Sequence, residues 1–460
     1  MCYEFKERHN MKKTAIVGGG ISGLAAAWFL LKKNPALKIT LFESENRLGG
    51  KIQTSRENGF LFEHGPNGFM DSRQEMVDFC NDLGFKEEIV KSNDDAANRF
   101  ILKNGRLCAL PKKPPQIFTS GFLPLSAKLR LMTEPFRRKS KLEDESLYDF
   151  CNRRFGKYVA EYLVDPFTSG VFGADCRQLS IRSAFKPLWE MEQQYGSIFK
   201  AMKKKMKAAK GKKQGKLSSF KDGMEELIKG LERQLQDKIT IRLNSPVKNL
   251  SKNDSAYTLE TNDIREDFDI VILACPAAPC GRLLSSLNEA LGEEVSSIPY
   301  SAISVVPQGF NKPKPAVANA FGYLVPSAEK SKILGNLFDA SVFPNRAPQN
   351  SFSIRTMLGG GKDPEIINFT DEEVYSLILE ENRQTLGIDF DADIKKIIRW
   401  QQAIPVYGPG HWKLVEKIEK FTEKTGLFVS GNAFYGVSMN DCVTSAVKTA
   451  EKIEDYLKEK

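Results

Sequence analysis

The sequence predicts an α/β fold: a parallel sheet assembled from separated stretches of chain, an α+β unit beside it, and a helical insertion between them. Three observations carry that expectation. Short apolar runs of buried-strand type recur far apart, at Thr14–Val17, Lys38–Phe42, Asp269–Ala274 and Gly426–Val429, the pattern of parallel strands covered on both faces. The first run passes at once into a glycine turn and the helix-like stretch Leu24–Leu31. From about Pro111 to Ser218 β-branched alternation is missing, while helix-like patterns appear at Ser146–Phe155 and Lys157–Leu163.

The first fifty residues are the most specific. Behind the strand Thr14–Val17 stands Gly18-Gly19-Gly20-Ile21-Ser22-Gly23, which opens the helix. Gly18 permits a tight turn, Gly20 lets a pyrophosphate approach the backbone, and Gly23 lets helix and strand pack closely. The helix start at Ile21 and Ser22 offers unpaired N–H groups and a positive dipole end to phosphates. The second strand, Lys38–Phe42, ends at Glu43, twenty positions after Gly23, where a carboxylate accepts both ribose hydroxyls of an adenosine. Strand, turn, helix and spaced acid together describe a Rossmann-like dinucleotide site.

Composition excludes several other classes. At 460 residues the chain has room for two or three domains, given roughly 100–200 residues for each. The net charge of +9 equals nine lysines between Lys200 and Lys216, a stretch without an acid, so the remaining charges balance. That argues against a nucleic-acid surface spread over the fold. Eight cysteines without a CxxC pair fit a reduced, cytosolic-side chain. The three histidines, His9, His64 and His411, share no metal-ligand spacing, so neither a histidine metal site nor a His-centred triad is expected. No run approaches the roughly 18 apolar residues that span a bilayer. Met1–Asn10 is polar and precedes a second candidate start at Met11, so it is read as lying outside the fold.

The next motifs separate FAD from NAD. Glu43-Ser44-Glu45-Asn46-Arg47-Leu48-Gly49-Gly50-Lys51 resembles the second fingerprint of FAD proteins in the flavin-containing amine oxidase superfamily. The resemblance places Ser44, Arg47, Gly50 and Lys51 at the cofactor, with Gly19 in the turn. Phe62–Gly68, with Gly65, Pro66, Asn67 and Gly68, resembles the stretch that passes the isoalloxazine ring and offers it rigid backbone donors. His64 within it reads as a packed or solvent-facing residue rather than a base. Ser245-Pro246-Val247 looks like the segment whose Val247 backbone contacts adenine. Gly431, followed by Val437-Ser438-Met439 and a helix, resembles the turn and helix start at the ring's pyrimidine end, where the dipole stabilises negative charge. The implied cofactor is non-covalent FAD.

Other blocks narrow the family. Asn98-Arg99-Phe100, Gly170-Val171-Phe172-Gly173, Leu179–Ser183, Gly322–Ser327, Met357–Gly360, Ala403–Tyr407 and Val437–Cys442 together resemble oxygen-dependent protoporphyrinogen oxidases, from Met11 to Lys460. An anionic tetrapyrrole needs a fixed cation and large apolar walls, and an arginine fork suits a carboxylate. The resemblance implies Arg99 as that anchor and Gly170, Leu324, Leu337 and Met357 as walls. Without it, the three apolar residues read as core and Arg99 as a surface charge. Trp400 is expected to pack by the flavin, although an isolated tryptophan is more often core. The implied reaction removes six hydrogens from a porphyrinogen in three flavin cycles, each passing a hydride to flavin N5 and two electrons to oxygen, with hydrogen peroxide released. No catalytic side chain stands out, because the chemistry belongs to the cofactor.

The expected FAD domain comprises 11–90, 219–280 and 395–460, the substrate domain 91–110 and 281–394, and the helical insertion 111–218. In the family the insertion contacts the membrane surface. Phe118, Phe122, Leu123, Leu125, Leu129, Leu131 and Phe136 beside Lys128, Arg130, Arg137, Arg138 and Lys139 match an interfacial patch, or equally a helix packed on its own domain. The lysines from 200 to 216 read as a fraying helix end and a solvated loop, or as an attraction for anionic lipid. The expected location is cytoplasmic, peripheral on the inner face of the cell membrane. Expected partners are a porphyrinogen, molecular oxygen and an anionic membrane surface, without nucleic acid, and a homodimer stays open. Three other readings stay open: coproporphyrinogen III oxidation by the same chemistry, an amine oxidase or carotenoid desaturase, and a redox-dead FAD fold on a lysine tether.

Overall fold

The computed structural model describes residues 12–111, 116–208, 215–253 and 256–459. Met1–Asn10 and three lysines of the basic run, Lys210, Lys212 and Lys213, lie outside the described residues. The expectations for the chain start and for the loop of that run fall there.

Five parallel strands form the first sheet, in the order Thr240–Arg242, Lys38–Phe42, Lys13–Val17, Ile270–Leu273 and Leu427–Val429. Strand alternation divides its side chains between two cores. Ile16, Leu41, Ile270 and Ile272 face the helices Ile21–Lys33, Glu225–Leu235 and Met439–Lys458. Ala15, Val17, Val271 and Leu273 face the antiparallel strands Asn249–Lys252, Tyr257–Glu260 and Arg265–Phe268 and the helices Ala277–Ser285 and Glu289–Ser296. Residues from both ends and the middle of the chain therefore share one sheet.

The second sheet has eight strands. Ile394–Lys395 and Ile398–Pro405 pair with one edge of Tyr300–Phe310, followed by Phe352–Gly359, Ile333–Leu337, Gly322–Leu324, Arg99–Lys103 and Arg106–Ala109. One face, with Val306, Ile354, Leu358 and Tyr323, is closed by Val374 and Ile378 of the helix Asp371–Leu386. That helix starts in a capping box between Thr370 and Glu373 and stops at Gly387 in the left-handed region, the expected stop signal.

The insertion is helical, from Leu125–Met132 to Ile198–Ala208, and packs on the eight-stranded sheet at Ile101 and Leu324. Its centre holds the fully buried Arg154, which pairs with Glu134 and Glu192 and donates to the carbonyls of Arg137 at 2.9 Å and Gly196 at 2.7 Å. Glu134 also accepts from Ser197 at 2.6 Å and from the Ile198 N–H at 2.9 Å. A buried guanidinium is tolerable only when its charge is paired, and both terminal nitrogens of Arg154 are held, so this network fixes how the last helix leaves the bundle. No helix among the described residues is long and apolar enough to cross a membrane.

Three expected domain boundaries move. Ile398–Pro405, expected in the FAD domain, pairs with Tyr300–Phe310, so the third segment of that domain begins after Pro405. Ala277–Ser285 and Glu289–Ser296 pack on the parallel sheet through Leu283, Leu284, Leu291 and Val295, which carries the middle segment past 280 to Ile298. Leu217–Phe220 crosses the boundary at 218 as one strand, paired with Phe69–Met70 and Ile89–Lys91. Periodicity reveals a strand but not its partner, and these partners are distant in sequence.

Candidate functional site

The glycine turn is built as its spacing suggests. Gly18 adopts φ +113°, and its N–H donates to the Phe42 carbonyl at 2.8 Å. A Cβ on Gly23 would fall 1.9 Å from the Gly18 carbonyl oxygen, whereas one on Gly20 would meet nothing within 4 Å. The helix Ile21–Lys33 has no side-chain cap and no acid in its first turn, so its orphan N–H groups remain suited to a phosphate. Glu43 is buried, accepting from the Gly19 N–H at 2.7 Å, the Ser44 hydroxyl at 3.0 Å and the Glu45 N–H at 2.9 Å. Those bonds use three of its roughly four lone-pair directions, so it has about one left for a ribose hydroxyl rather than the expected two.

The other cofactor segments converge on this turn. Gly49 donates to the Gly19 carbonyl at 2.8 Å, and a Cβ on Gly50 would lie 3.7 Å from the Gly20 Cα. Arg47, expected at the cofactor, spends its guanidinium within the loop on the carbonyls of Gly50 (2.9 Å) and Ile52 (3.0 Å) and on Glu225 (2.8 Å). Lys51 lies 5.4 Å from the Tyr300 ring centroid without a carboxylate partner among the described residues, and burial lowers its pKa from 10.5 to about 8. Ser245 donates to the Glu43 carbonyl at 2.8 Å, which brings Val247 beside the ribose acid. Gly431, at φ +100°, packs on Ser22, where a Cβ would sit 3.0 Å from its hydroxyl.

Ser438 and Asp441 form a capping box at the start of the helix Met439–Lys458. The box satisfies two of the four orphan donors and sets a carboxylate there, which weakens the expected positive end. Val437 is half-buried and Met439 is buried in the core of the parallel sheet.

The segment from Glu63 to Met70 runs between these parts. A Cβ on Gly65 would fall 2.3 Å from the Lys51 carbonyl oxygen, and one on Gly68 2.5 Å from that of Ser218. At its far end Met70 exchanges two backbone bonds with the Asn440 amide, at 3.0 and 2.9 Å. Pro66 and Asn67 are half-buried, and the Asn67 side-chain nitrogen lacks a protein partner. His64 is bonded to Ser55 at 2.9 Å, and burial lowers its pKa, in keeping with a packed role. Trp400 donates its indole N–H to the His64 carbonyl at 2.8 Å.

The open face of the eight-stranded sheet gathers the expected substrate residues. Register places Arg99 beside Gly322, Gly322 beside Leu337, Leu324 beside Gly335, and Gly335 beside Met357; Val305, Ile303 and Trp400 continue the row. Leu324, Leu337 and Met357 are half-buried, unlike the closed residues of the opposite face. Arg99 is exposed, with its guanidinium 4.7 Å from the Phe321 ring centroid and no carboxylate partner among the described residues. Gly170 comes from the helix Asp165–Phe172, where a Cβ would meet Leu324 at 2.4 Å. Its neighbours Phe167 and Val171, 48% and 45% exposed, share its outer stripe and had no distinguishing signal in the sequence. Arg355 was equally hidden; it is 3% exposed and donates to the Gly65 carbonyl at 2.9 Å.

An uncapped helix start facing a second glycine loop, an acid with a free lone pair, a half-buried lysine without a carboxylate partner among the described residues and an unsatisfied Asn67 amide fit a dinucleotide carrying a polar ring. Fold and site thus define a flavin-dependent oxidoreductase, with FAD as its cofactor. The sequence matches the family of flavin containing amine oxidoreductases over residues 21–454. It is 30% identical to a mitochondrial protoporphyrinogen oxidase of Nicotiana tabacum, covering 98% of this chain and 97% of that one. It is 28% identical to a coproporphyrinogen III oxidase of Bacillus subtilis (strain 168), covering 97% and 98%. The crystal structure of a candidate protoporphyrinogen oxidase from Exiguobacterium sp. 255-15 superposes with a TM-score of 0.82 at 26% identity, covering 96% of this chain and 98% of that one. The chain belongs to the flavin containing amine oxidoreductase family, on its protoporphyrinogen/coproporphyrinogen oxidase branch.

Two glycines give opposite outcomes. Gly20→Val should keep the fold, since Gly20 is extended at φ −72° with open space beside it, yet lose FAD through gel filtration. Gly23→Ala should lower the apparent melting temperature, because the overlap costs about 1–3 kcal/mol against a helix gain of about 1 kcal/mol. Lys51 supplies a pH dependence. Above about pH 8 the free chain has lost its proton, whereas the cofactor's phosphates favour the charged form. FAD affinity, followed by fluorescence quenching, should fall as pH rises from about 8, with a flatter profile in Lys51→Gln.

Proposed function

We propose that this enzyme oxidises protoporphyrinogen IX to protoporphyrin IX with molecular oxygen as the final acceptor, releasing hydrogen peroxide. The observation that carries this reading is Arg99, exposed and without a carboxylate partner among the described residues, on the same sheet face as Leu324, Leu337, Met357 and Val305. Protoporphyrinogen presents two propionates at one edge of an otherwise apolar disc, and one guanidinium fork with five donors suits that edge. FAD, when bound, supplies the two-electron acceptor. The chain's part is placement: Arg99 holds the acidic edge, and the apolar row excludes water without offering the macrocycle a hydrogen bond. None of these row positions carries a carboxylate, histidine or thiol, so the proposal assigns them no proton transfer.

Coproporphyrinogen III oxidation is the second reading, favoured by the Bacillus subtilis relative. Its four propionates call for more cations than this row supplies.

Arg99→Ala should raise the Michaelis constant for protoporphyrinogen about tenfold or more, the scale of a charged hydrogen bond, while FAD content stays constant. Porphyrin fluorescence assays on freshly reduced proto- and coproporphyrinogen decide between the readings. Faster turnover of the second substrate reverses the assignment.

We also propose a peripheral site at the cytoplasmic face of a membrane. Leu125, Leu129, Met132 and Phe136, 55–86% exposed, and Met202 and Met206 are tied together through Glu134 and flanked by Lys128, Arg137, Lys203, Lys204 and Lys207. Apolar side chains ringed by cations support interfacial contact. Sedimentation with anionic vesicles should be lost in Leu129→Glu/Phe136→Glu, and binding unchanged by these substitutions would exclude this surface.

A further inference from the structure

Arg355 belongs to the open face of the eight-stranded sheet, where register sets it beside Leu337 and Pro307, yet it is not offered to solvent. It is 3% exposed, and Asp339 takes its charge through Nε at 3.1 Å and Nη2 at 3.3 Å. Its remaining nitrogen, Nη1, reaches two backbone carbonyls, Gly65 at 2.9 Å and Glu63 at 3.4 Å. The carbonyl between them, that of His64, is held by Trp400 of the same sheet at 2.8 Å. Three successive carbonyls, from the last residue of the strand Phe60–Glu63 onward, are thus gripped by two side chains of the eight-stranded sheet.

That grip has a directional consequence. In a trans peptide the N–H points away from the preceding carbonyl. With the Glu63 carbonyl drawn to Arg355, the His64 N–H points the other way and meets the Gln53 carbonyl at 2.9 Å. With the His64 carbonyl drawn to Trp400, the Gly65 N–H must likewise point away from the sheet. It finds no acceptor among the described residues. Gly65 lies against the Lys51 backbone, in the segment joining the glycine loop at Lys51 to the helix start at Asn440.

We infer that Arg355, with Trp400, is a positioning residue for the flavin: it presents the Gly65 N–H to the ring, so that the substrate sheet itself sets where the acceptor lies. The grip explains why a guanidinium stands here. A methionine would fill the space at no desolvation cost, but would leave the carbonyls of Glu63 and Gly65 without these donors.

The test uses FAD-loaded enzyme. Arg355→Lys keeps the charge and loses the fork, and Trp400→Phe keeps the ring and loses the N–H. Because Arg355→Met alone would strand Asp339, the double variant Asp339→Asn/Arg355→Met removes the pair together. All three should retain FAD but shift the flavin absorption band and the midpoint potential, measured by dye-coupled dithionite titration. Anaerobic flavin reduction by porphyrinogen should slow about tenfold, the value of one lost hydrogen bond, with the Michaelis constant changed less than about twofold. The titration involves no porphyrinogen, so its outcome stands apart from the choice of substrate. Unchanged band and potential in the folded, FAD-loaded variants would overturn the inference, as would a double variant that behaves as wild type.

Discussion

The rest of the cofactor half is arranged around one close approach of helix to strand: a Cβ on residue 23 would fall 1.9 Å from the Gly18 carbonyl oxygen. Helix and strand can meet at that distance only through glycine. The meeting aims the uncapped start of Ile21–Lys33 over the C-terminal end of the parallel sheet, where open α/β sheets bind ligands. Glu43 is fixed by the Gly19 N–H, the loop at Gly49 by the Gly19 carbonyl, and Gly431 by contact with Ser22. Segments hundreds of residues apart are thereby docked on one six-residue turn.

A second constraint comes from the eight-stranded sheet, whose alternation separates two tasks. Odd-numbered positions of Phe352–Gly359 and Tyr300–Phe310 look toward the cofactor segments, and even-numbered ones are sealed beneath the helix Asp371–Leu386. The sealed face supplies stability, which leaves the open face free to keep large apolar groups half-buried. One register slip would exchange the two faces, sinking Met357 and Arg355 into the core and exposing Thr356 and Ile354. Site and stability therefore depend on the same pairing.

Buried charges mark the joints between units. Arg154 with Glu134 and Glu192 locks the helical insertion. Glu63 with Arg346, at 3.8 Å, and Arg355 with Asp339 lie where the eight-stranded sheet and the chain beside it meet the strands Phe60–Glu63 and Leu217–Phe220. Burial raises the Glu63 pKa and lowers that of Arg346. Ion pairs of this kind add little net stability over apolar packing, while removal of one partner typically costs about 3–5 kcal/mol. Their directional bonds to Ser219, Phe220, Glu63 and Gly65 orient backbone in a way that apolar contact would not.

Local pattern by itself determined the parallel strands, the glycine turn, Glu43 at its spacing and the helical character of the insertion, because each depends on residues within a few turns of one another. Family likeness added Arg99, Gly170, Leu324, Leu337, Met357 and Trp400 as expectations, and register places all but Gly170, which packs on Leu324, on one sheet face. Only the tertiary structure decided what each group is bonded to. Arg47 is spent on its own loop and on Glu225, Glu43 is already largely satisfied, Ser438 is a cap, and Trp400 holds a carbonyl. Arg355 and Phe167 left no trace in spacing, since the carbonyl that Arg355 holds lies 290 residues away and Phe167 meets the ring of Phe185, at the start of another helix. The strand at Ile398–Pro405 likewise joined the sheet that offered it an open edge. A sequence states which groups can bond, and folding settles which of them meet, because hydrogen-bond and packing partners are selected by distance in space.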